Sequence, residues 1–168
     1  MYKDIYIGKK YFDYYYALRD EHKVFKRYLD IFLNASIIGC IINEEVFEDE
    51  NEIDGSRNRI DKGAIYNSKY DFECILNVIT FIHFARLKED KILEKVFIDT
   101  DDSLEQKRTI AENYARGGIQ YLYNYIVGDA KDRSDIMDNV IELVQNHEEL
   151  FKYSSEIGSI EDIIKKFI

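Results

Sequence analysis

The chain has no proline, and this absence constrains its fold more than any other feature of the sequence. Proline interrupts helices, and together with glycine it marks the turns of β-rich proteins. Glycine occurs only eight times in 168 residues, while hydrophobic residues make up 46% and can fill a sizeable core. The sequence therefore predicts an all-α protein, folded as a single compact domain of about six to seven helices over residues 1–168.

Apolar residues recur at intervals of three and four through most of the chain, as they do on one face of a helix. They predict helices over residues 9–19, 23–43, 68–86, 89–96 and 103–127. The helix over 68–86 is the most apolar and is predicted to be the central buried one. Ser103, Ser134 and Ser159 are each expected to cap the start of a helix. The helix that begins at Ser103 is predicted to end at Gly128 and to bury Ile110, Tyr114, Ile119, Leu122 and Ile126.

Residues 44–67 break the helical pattern. Seven acids and no base stand between positions 44 and 54, and Arg57, Arg59 and Lys62 follow shortly afterwards. We expect a long, acidic and exposed excursion that could contain one short hairpin. Nearer the start, residues 3–7 alternate polar and apolar and predict a short strand or an ordered arm.

Charge and hydropathy limit the partners of the chain. The sequence holds 23 basic and 33 acidic residues, a net charge of −10, so direct binding to nucleic acid is not expected, and acidic partners and anionic membranes are disfavoured. The most apolar stretch, residues 28–42, is too short to span a bilayer, and the first residues lack the pattern of a signal peptide. We expect a cytoplasmic protein with two reduced thiols, Cys40 and Cys74, buried in apolar helical runs.

No residue pattern predicts a cofactor, a metal ion or a catalytic group. Residues 50–61 match a calcium-binding loop only in part, since Arg57 would place a cation beside the ion and the final bidentate glutamate is lacking. Helix capping and the helix dipole explain Asp99, Asp101 and Asp102. The HExxH spacing and the glycine-rich phosphate loops are absent from the sequence. We therefore expect no enzyme activity.

Two adjacent glycines, Gly117 and Gly118, stand inside the predicted helix over 103–127. Each costs about 1 kcal/mol relative to alanine, so a helix keeps such a pair where another backbone approaches closely or where it bends. That backbone can belong to a partner, docked in a notch edged by Arg116, or to another helix of the same chain. Tyrosine, present fourteen times, favours protein interfaces where it is exposed. The candidate partner-binding residues are Arg57, Arg59, Tyr114, Arg116, Gly117, Gly118 and Tyr121.

The segment AENYARGGIQYLY around these glycines resembles a small family of DNA phosphorothioation-associated proteins, encoded near Dnd-type sulfur-modification and restriction genes. The helix FLNASIIGCII, the charged excursion and the acidic turn that precede the segment fit the same family. The family motif reads roughly EEYANGGLE; Arg116 departs from its usual asparagine, and Gln120 stands where an acid is common. The similarity covers about residues 23–128 and leaves residues 129–168 as additional C-terminal helices.

The resemblance implies a non-catalytic accessory or adaptor protein of a bacterial anti-phage defence or DNA-modification-linked restriction system. Such a protein would bind a larger component of the same operon, of the ATPase, helicase or nuclease type. Two alternatives stay open, as does the oligomeric state. The acidic run over 44–54 fits an inhibitor or nucleic-acid mimic that occupies a basic groove of a partner. An enzyme could instead draw metal ligands from the excursion and from Glu73, Asp99, Asp101 and Asp102.

Overall fold

The computed structural model of the chain describes residues 2–47, 58–98 and 100–145. Helices dominate these ranges, and the prediction of an all-α fold is confirmed. The seven α-helices in the described ranges are α1 (Lys9–Tyr16), α2 (Tyr28–Ile42), α3 (Lys62–Asn67), α4 (Lys69–Arg86), α5 (Ile92–Phe97), α6 (Asp101–Tyr123) and α7 (Arg133–Gln145). Five-residue π-helical turns extend α1 over Ala17–Glu21 and α6 over Asn124–Gly128. The strands β1 (Ile5–Tyr6) and β2 (Arg59–Ile60) form a two-stranded sheet.

The centre of the fold is the pair α2 and α6, whose backbones nearly touch. A Cβ atom added at Gly118 would lie 2.0 Å from the carbonyl oxygen of Ala35, and one added at Gly39 would lie 2.0 Å from that of Tyr114. The hydroxyl of Ser36 joins the helices, because it donates to the carbonyl of Ala111 at 3.0 Å. The expectation that the helix over 68–86 is central was wrong: α4 packs beside the α2–α6 pair.

The N-terminal arm and the excursion meet in the small sheet. Ile5 lies opposite Ile60 and Tyr6 opposite Arg59 in an antiparallel pair, which confirms the strand predicted in residues 3–7. The hairpin expected within 44–67 is not formed by β2, whose partner is the N-terminal arm. The described part of the excursion is also less exposed than predicted, since Ile60 and Ile65 are buried. Residues 48–57 lie outside the described ranges.

Helix starts differ from the predictions at two of the serines. Thr100 caps α6, because its side chain accepts the N–H of Ser103 while the Ser103 hydroxyl accepts the N–H of Thr100. Asp132 caps α7, since its Oδ1 accepts the N–H of Ser134 at 2.7 Å. Aspartate is at least as good a cap as serine, and two neighbouring cap residues cannot be separated by sequence alone. The helix predicted from Ser159 lies outside the described residues.

The helix predicted over 23–43 is shorter at its start. Lys23 has a φ of 54° and Arg27 is extended, so α2 begins only at Tyr28. Its end agrees with the prediction, because Asn43 takes the left-handed conformation that closes a helix. The predicted end of α6 at Gly128 is reached through the π-helical turn, and all five residues predicted to face inward are buried. No helix in the described ranges is both long and apolar enough to cross a membrane.

The close contact of α2 with α6 predicts a large loss of stability from Gly118→Ala. The added methyl group would collide with the backbone of Ala35, which cannot rotate away, so we expect the free energy of unfolding to fall by about 3 kcal/mol or more. The matched control is Gly128→Ala, where the nearest atom to the new Cβ lies 3.8 Å away and the change should stay within about 1 kcal/mol. Urea denaturation followed by circular dichroism measures both. Equal stability of the two variants would contradict the packing.

Candidate protein-interaction site

The predicted notch at the glycine pair is filled by the chain itself. Gly117 and Gly118 are buried. A Cβ added at Gly117 would lie 2.0 Å from the carbonyl oxygen of Glu44, and Gly118 faces Ala35. Of the two explanations that the sequence offered for the pair, packing within the chain is therefore the one that the structure supports. A partner helix finds no free notch at these glycines.

Arg116 points inward along α6 and does not line an open surface. Its side chain is only 11% exposed and donates to Asn113 Oδ1 at 2.8 Å and to the carbonyl of Val46 at 3.4 Å. Its Nη2 lies 3.7 Å from Glu112 Oε2, and Glu112 Oε1 lies 3.1 Å from Arg108 Nε. The arginine thus belongs to a row of charges on α6 and holds residue 46 against that helix.

A second group of polar side chains fixes the same segment from α4. Glu45 Oε1 lies 3.0 Å from His83 Nδ1, and the Tyr114 hydroxyl is 3.2 Å from the same nitrogen. The rings of His83 and Tyr114 meet edge to face, with 5.8 Å between centroids. The N–H of Val46 donates to the carbonyl of Asn113 at 3.1 Å. These contacts make Tyr114, which is 1% exposed, a core residue that anchors the base of the acidic excursion.

Burial sets the chemistry of the groups around Tyr114. It raises the pKa of the Tyr114 phenol above its ordinary value, with Cys40 and Glu45 adding to the shift. It also raises the pKa of the Cys40 thiol to about 11, so this thiol is protonated and a poor nucleophile at neutral pH. Arg86 donates to the carbonyl of Cys40 at 2.5 Å and so ties α4 to the end of α2. The contacts of these groups are structural, because they join α4 to α2 and to α6.

The structure describes two of the three remaining predicted site residues. Arg59 is half-exposed on β2 and pairs with Asp4, its Nη1 lying 3.1 Å from the carboxylate oxygen. Tyr121 is half-buried and stacks on Tyr125 with 6.3 Å between ring centroids. Arg57 lies outside the described residues. The structure therefore places Tyr114, Arg116, Gly117, Gly118 and Tyr121 on α6 and Arg59 on the small sheet, and partner binding by Arg59, Tyr121 and Arg57 stays a prediction.

The acidic groups considered for metal binding or mimicry are only partly described. Asp101 and Asp102 begin α6, as the helix dipole predicts, whereas Asp99 lies outside the described residues. Within the ranges that the structure describes, no three histidine, cysteine, aspartate or glutamate residues are grouped so that they could hold a metal ion. Of the seven acids over 44–54, only Glu44 and Glu45 are described, and Glu45 contacts His83.

An uncovered apolar face on α4 was not found from the sequence. Tyr70, Cys74, Val78 and Phe81 follow each other at helical spacing; Tyr70 is 86% and Val78 53% exposed, Cys74 is exposed and Phe81 half-buried. The expectation that Cys74 is buried was therefore wrong. Because α4 is apolar on nearly all sides, its sequence predicted complete burial, and only the position of α4 beside the central pair leaves this face in solvent.

A groove lies next to the start of this face. It runs between the N-terminal arm, α3, the first turns of α4 and the first turns of α6. Its floor is apolar, with Leu104 and the ring of Tyr2, while Tyr66 at its edge is 69% exposed. The Tyr2 hydroxyl and the Lys69 ammonium group both contact Glu73. The lining residues are Tyr2, Lys62, Gly63, Tyr66, Asn67, Lys69, Glu73 and Leu104.

The fold and these surfaces define a small helical protein in which polar groups around Tyr114 and Arg116 are engaged internally, while α3 and α4 expose aromatic and apolar side chains beside lysines. The chain matches the family described as DNA sulphur modification system-associated protein 4 over residues 5–156, and it belongs to that family. This confirms the resemblance carried by AENYARGGIQYLY and extends it on both sides of residues 23–128. No curated protein and no solved structure matches the chain.

The inward role of Arg116 predicts a stability effect that a surface arginine would not have. Arg116→Ala should lower the free energy of unfolding by about 1.5–3 kcal/mol, because it leaves the mostly buried Glu112 and Asn113 short of a partner. Arg59→Ala is the control and should cost less than about 1 kcal/mol, since the Arg59–Asp4 pair is half-exposed. Chemical denaturation measures both, and an unaffected Arg116 variant would contradict the assignment.

Three tyrosines should make the fold sensitive to alkali. Burial raises the pKa of Tyr15, Tyr28 and Tyr114, that of Tyr28 to about 12 with help from its hydrogen bond to Asp20. In the unfolded chain these phenols ionise near pH 10, so the unfolded state loses protons that the folded state keeps. Stability should therefore be full below about pH 10 and fall as pH rises above it.

Chemical denaturation at about pH 8 and about pH 11 tests whether the free energy of unfolding falls as pH rises. Tyrosine absorbance at about 295 nm follows the ionisation of the phenols. Tyr28→Phe removes one shifted phenol and should reduce the loss of stability between the two pH values. If all tyrosines of the folded chain ionised together near pH 10, the assignment would be wrong.

Proposed function

We propose that this chain is a non-catalytic accessory protein of a bacterial anti-phage defence or DNA-modification-linked restriction system. It acts in the cytoplasm as an adaptor by binding a larger protein component of that system, of the ATPase, helicase or nuclease type. It makes no direct contact with nucleic acid. Membership of a family associated with DNA sulphur modification supports the connection to such a system.

The uncovered face of α4 is the observation that carries the adaptor role. Apolar side chains grouped on one exposed face mark protein-interaction surfaces, and the α4 face keeps Tyr70 and Val78 in solvent. Tyrosine is among the residues that dominate the energy of protein interfaces. A partner that packs on α4 would bury this apolar face, and the burial would contribute favourable free energy to binding.

The interior of α6 supports the same proposal. Tyr114 and Arg116, which the sequence offered as interface residues, are used to hold residues 44–47 in place. The thiol of Cys40 is buried and protonated at neutral pH. These side chains therefore serve the fold, and the exposed face of α4 is an accessible apolar surface of the kind that a partner covers.

Val78→Glu tests the proposal by placing a charge in the middle of the α4 face. We expect binding to the larger component of the same system to weaken by about tenfold or more, because the carboxylate would be buried against apolar groups without a partner. The full chain and that component would be purified separately and their affinity measured by calorimetry.

Met137→Glu is the matched control for this experiment, since Met137 lies with Ile141 and Val144 on a second exposed apolar face, on α7, and the change places the same charge there. It should leave the affinity unchanged, and both variants should keep the melting temperature of the natural chain. Equal affinity of the Val78→Glu variant would remove α4 from the interface. If no protein of the system bound the natural chain, the adaptor role itself would be wrong.

A further inference from the structure

The groove beside α3 combines an apolar floor with two lysines, in a protein whose net charge is −10. Lys62 and Lys69 are both exposed and both line it. Each stands at the first turn of its helix, Lys62 on α3 and Lys69 on α4. Although the overall charge of the chain disfavours acidic partners, two exposed ammonium groups at the rim of one groove can pair with the carboxylates of a partner segment.

The carboxylate in the groove does not balance these two charges. Glu73 is contacted by the Tyr2 hydroxyl, and its nearest approach to Lys69 Nζ is 3.9 Å, at the outer limit of an ion pair. The backbone N–H of Lys62 is bound by Asp4 at 2.8 Å, which fixes the start of α3 and hence the place from which the Lys62 side chain extends. One partly engaged carboxylate thus faces two ammonium groups.

The apolar side of the groove is suited to a side chain and not to an ion alone. Leu104 is half-buried and the Tyr66 ring is 69% exposed at the rim. An aromatic or aliphatic residue between them would cover both and exclude water from the neighbouring charges, which strengthens ion pairs at the rim. Phosphate groups of a nucleic acid would gain nothing from this floor.

We propose that this groove binds an acidic protein segment that carries an apolar anchor residue next to one or more carboxylates. The carboxylates pair with Lys62 and Lys69, and the anchor packs on Leu104 and Tyr66. The inference rests on the adaptor role proposed above and deepens it, because it assigns to the partner a chemistry that the α4 face alone does not. The groove opens beside the first turn of α4, so one partner can occupy both surfaces.

Charge reversal at both lysines tests the groove. The probes are overlapping synthetic peptides that cover the sequence of the larger component bound by the full chain. We expect peptides with an apolar residue beside acidic ones to bind, and the variant Lys62→Glu, Lys69→Glu to bind them about tenfold more weakly. Raising the salt from about 50 mM to about 300 mM should weaken binding to the natural chain several-fold.

The matched control changes the same charge elsewhere. Lys88→Glu, Lys131→Glu alters two exposed lysines, one after the C-terminal end of α4 and one before α7, and should leave peptide binding unchanged. Replacing the acidic residues of the bound peptide by lysine should restore affinity for the reversed variant and abolish it for the natural chain. If charge reversal lowers the melting temperature, Lys62→Ala, Lys69→Ala replaces it in every measurement.

The outcomes separate the two proposals. Unchanged peptide binding by the lysine variants would overturn the groove while leaving the adaptor role in place, provided that the Val78→Glu variant still loses the larger component. A single-stranded DNA oligonucleotide that bound the natural chain and not the lysine variants would also overturn it, in favour of nucleic acid. If no component of the system binds the natural chain, the adaptor role fails and the groove proposal falls with it.

Discussion

The close approach of α2 to α6 is the contact on which the rest of this structure depends. Glycines on both helices allow the carbonyl groups of one to meet the backbone of the other, and a methyl group at Gly39 or Gly118 would end that approach. Packing at this distance fixes the relative position of the helices more tightly than side-chain packing alone, because no rotamer change can relieve a backbone collision. The remaining helices, among them α4 beside the pair, are placed on this frame.

The same contact determines which residues are left for other molecules. Because α2 ends beside Gly117, the residues that follow α2 run close to α6. There Arg116 and Asn113 hold Val46, and His83 and Tyr114 hold Glu45. Polar residues that look like a binding motif are thereby used in internal contacts. The face of α4 that points away from the pair has no such cover, and with the groove at α3 it forms one of the accessible apolar surfaces of the described residues. Exposed apolar side chains also lie on α5 and α7.

Sequence patterns predicted much of this arrangement. Helical periodicity located α4, α6 and the inward side of α6, and the alternation in residues 3–7 located β1. The predictions were wrong where neighbouring residues could serve equally well, as at Thr100 and Ser103. They were also wrong where long-range packing decided the outcome, as for Cys74, which an apolar sequence context placed in the core. The groove joins residues from four elements and left no local pattern to find.

The sequence by itself determined that the chain folds as helices and which side of α6 is buried, and it limited the glycine pair Gly117 and Gly118 to a close backbone approach or a bend. These properties follow from the spacing of apolar residues and from the lack of a side chain at glycine, and both are local features of the sequence. Only the tertiary structure decided that α2 and residue 44 make that approach, which leaves α4 and the groove as the surfaces of the proposed interface. Periodicity reports that a face is covered but not by what, because an internal helix and a partner would satisfy the same pattern.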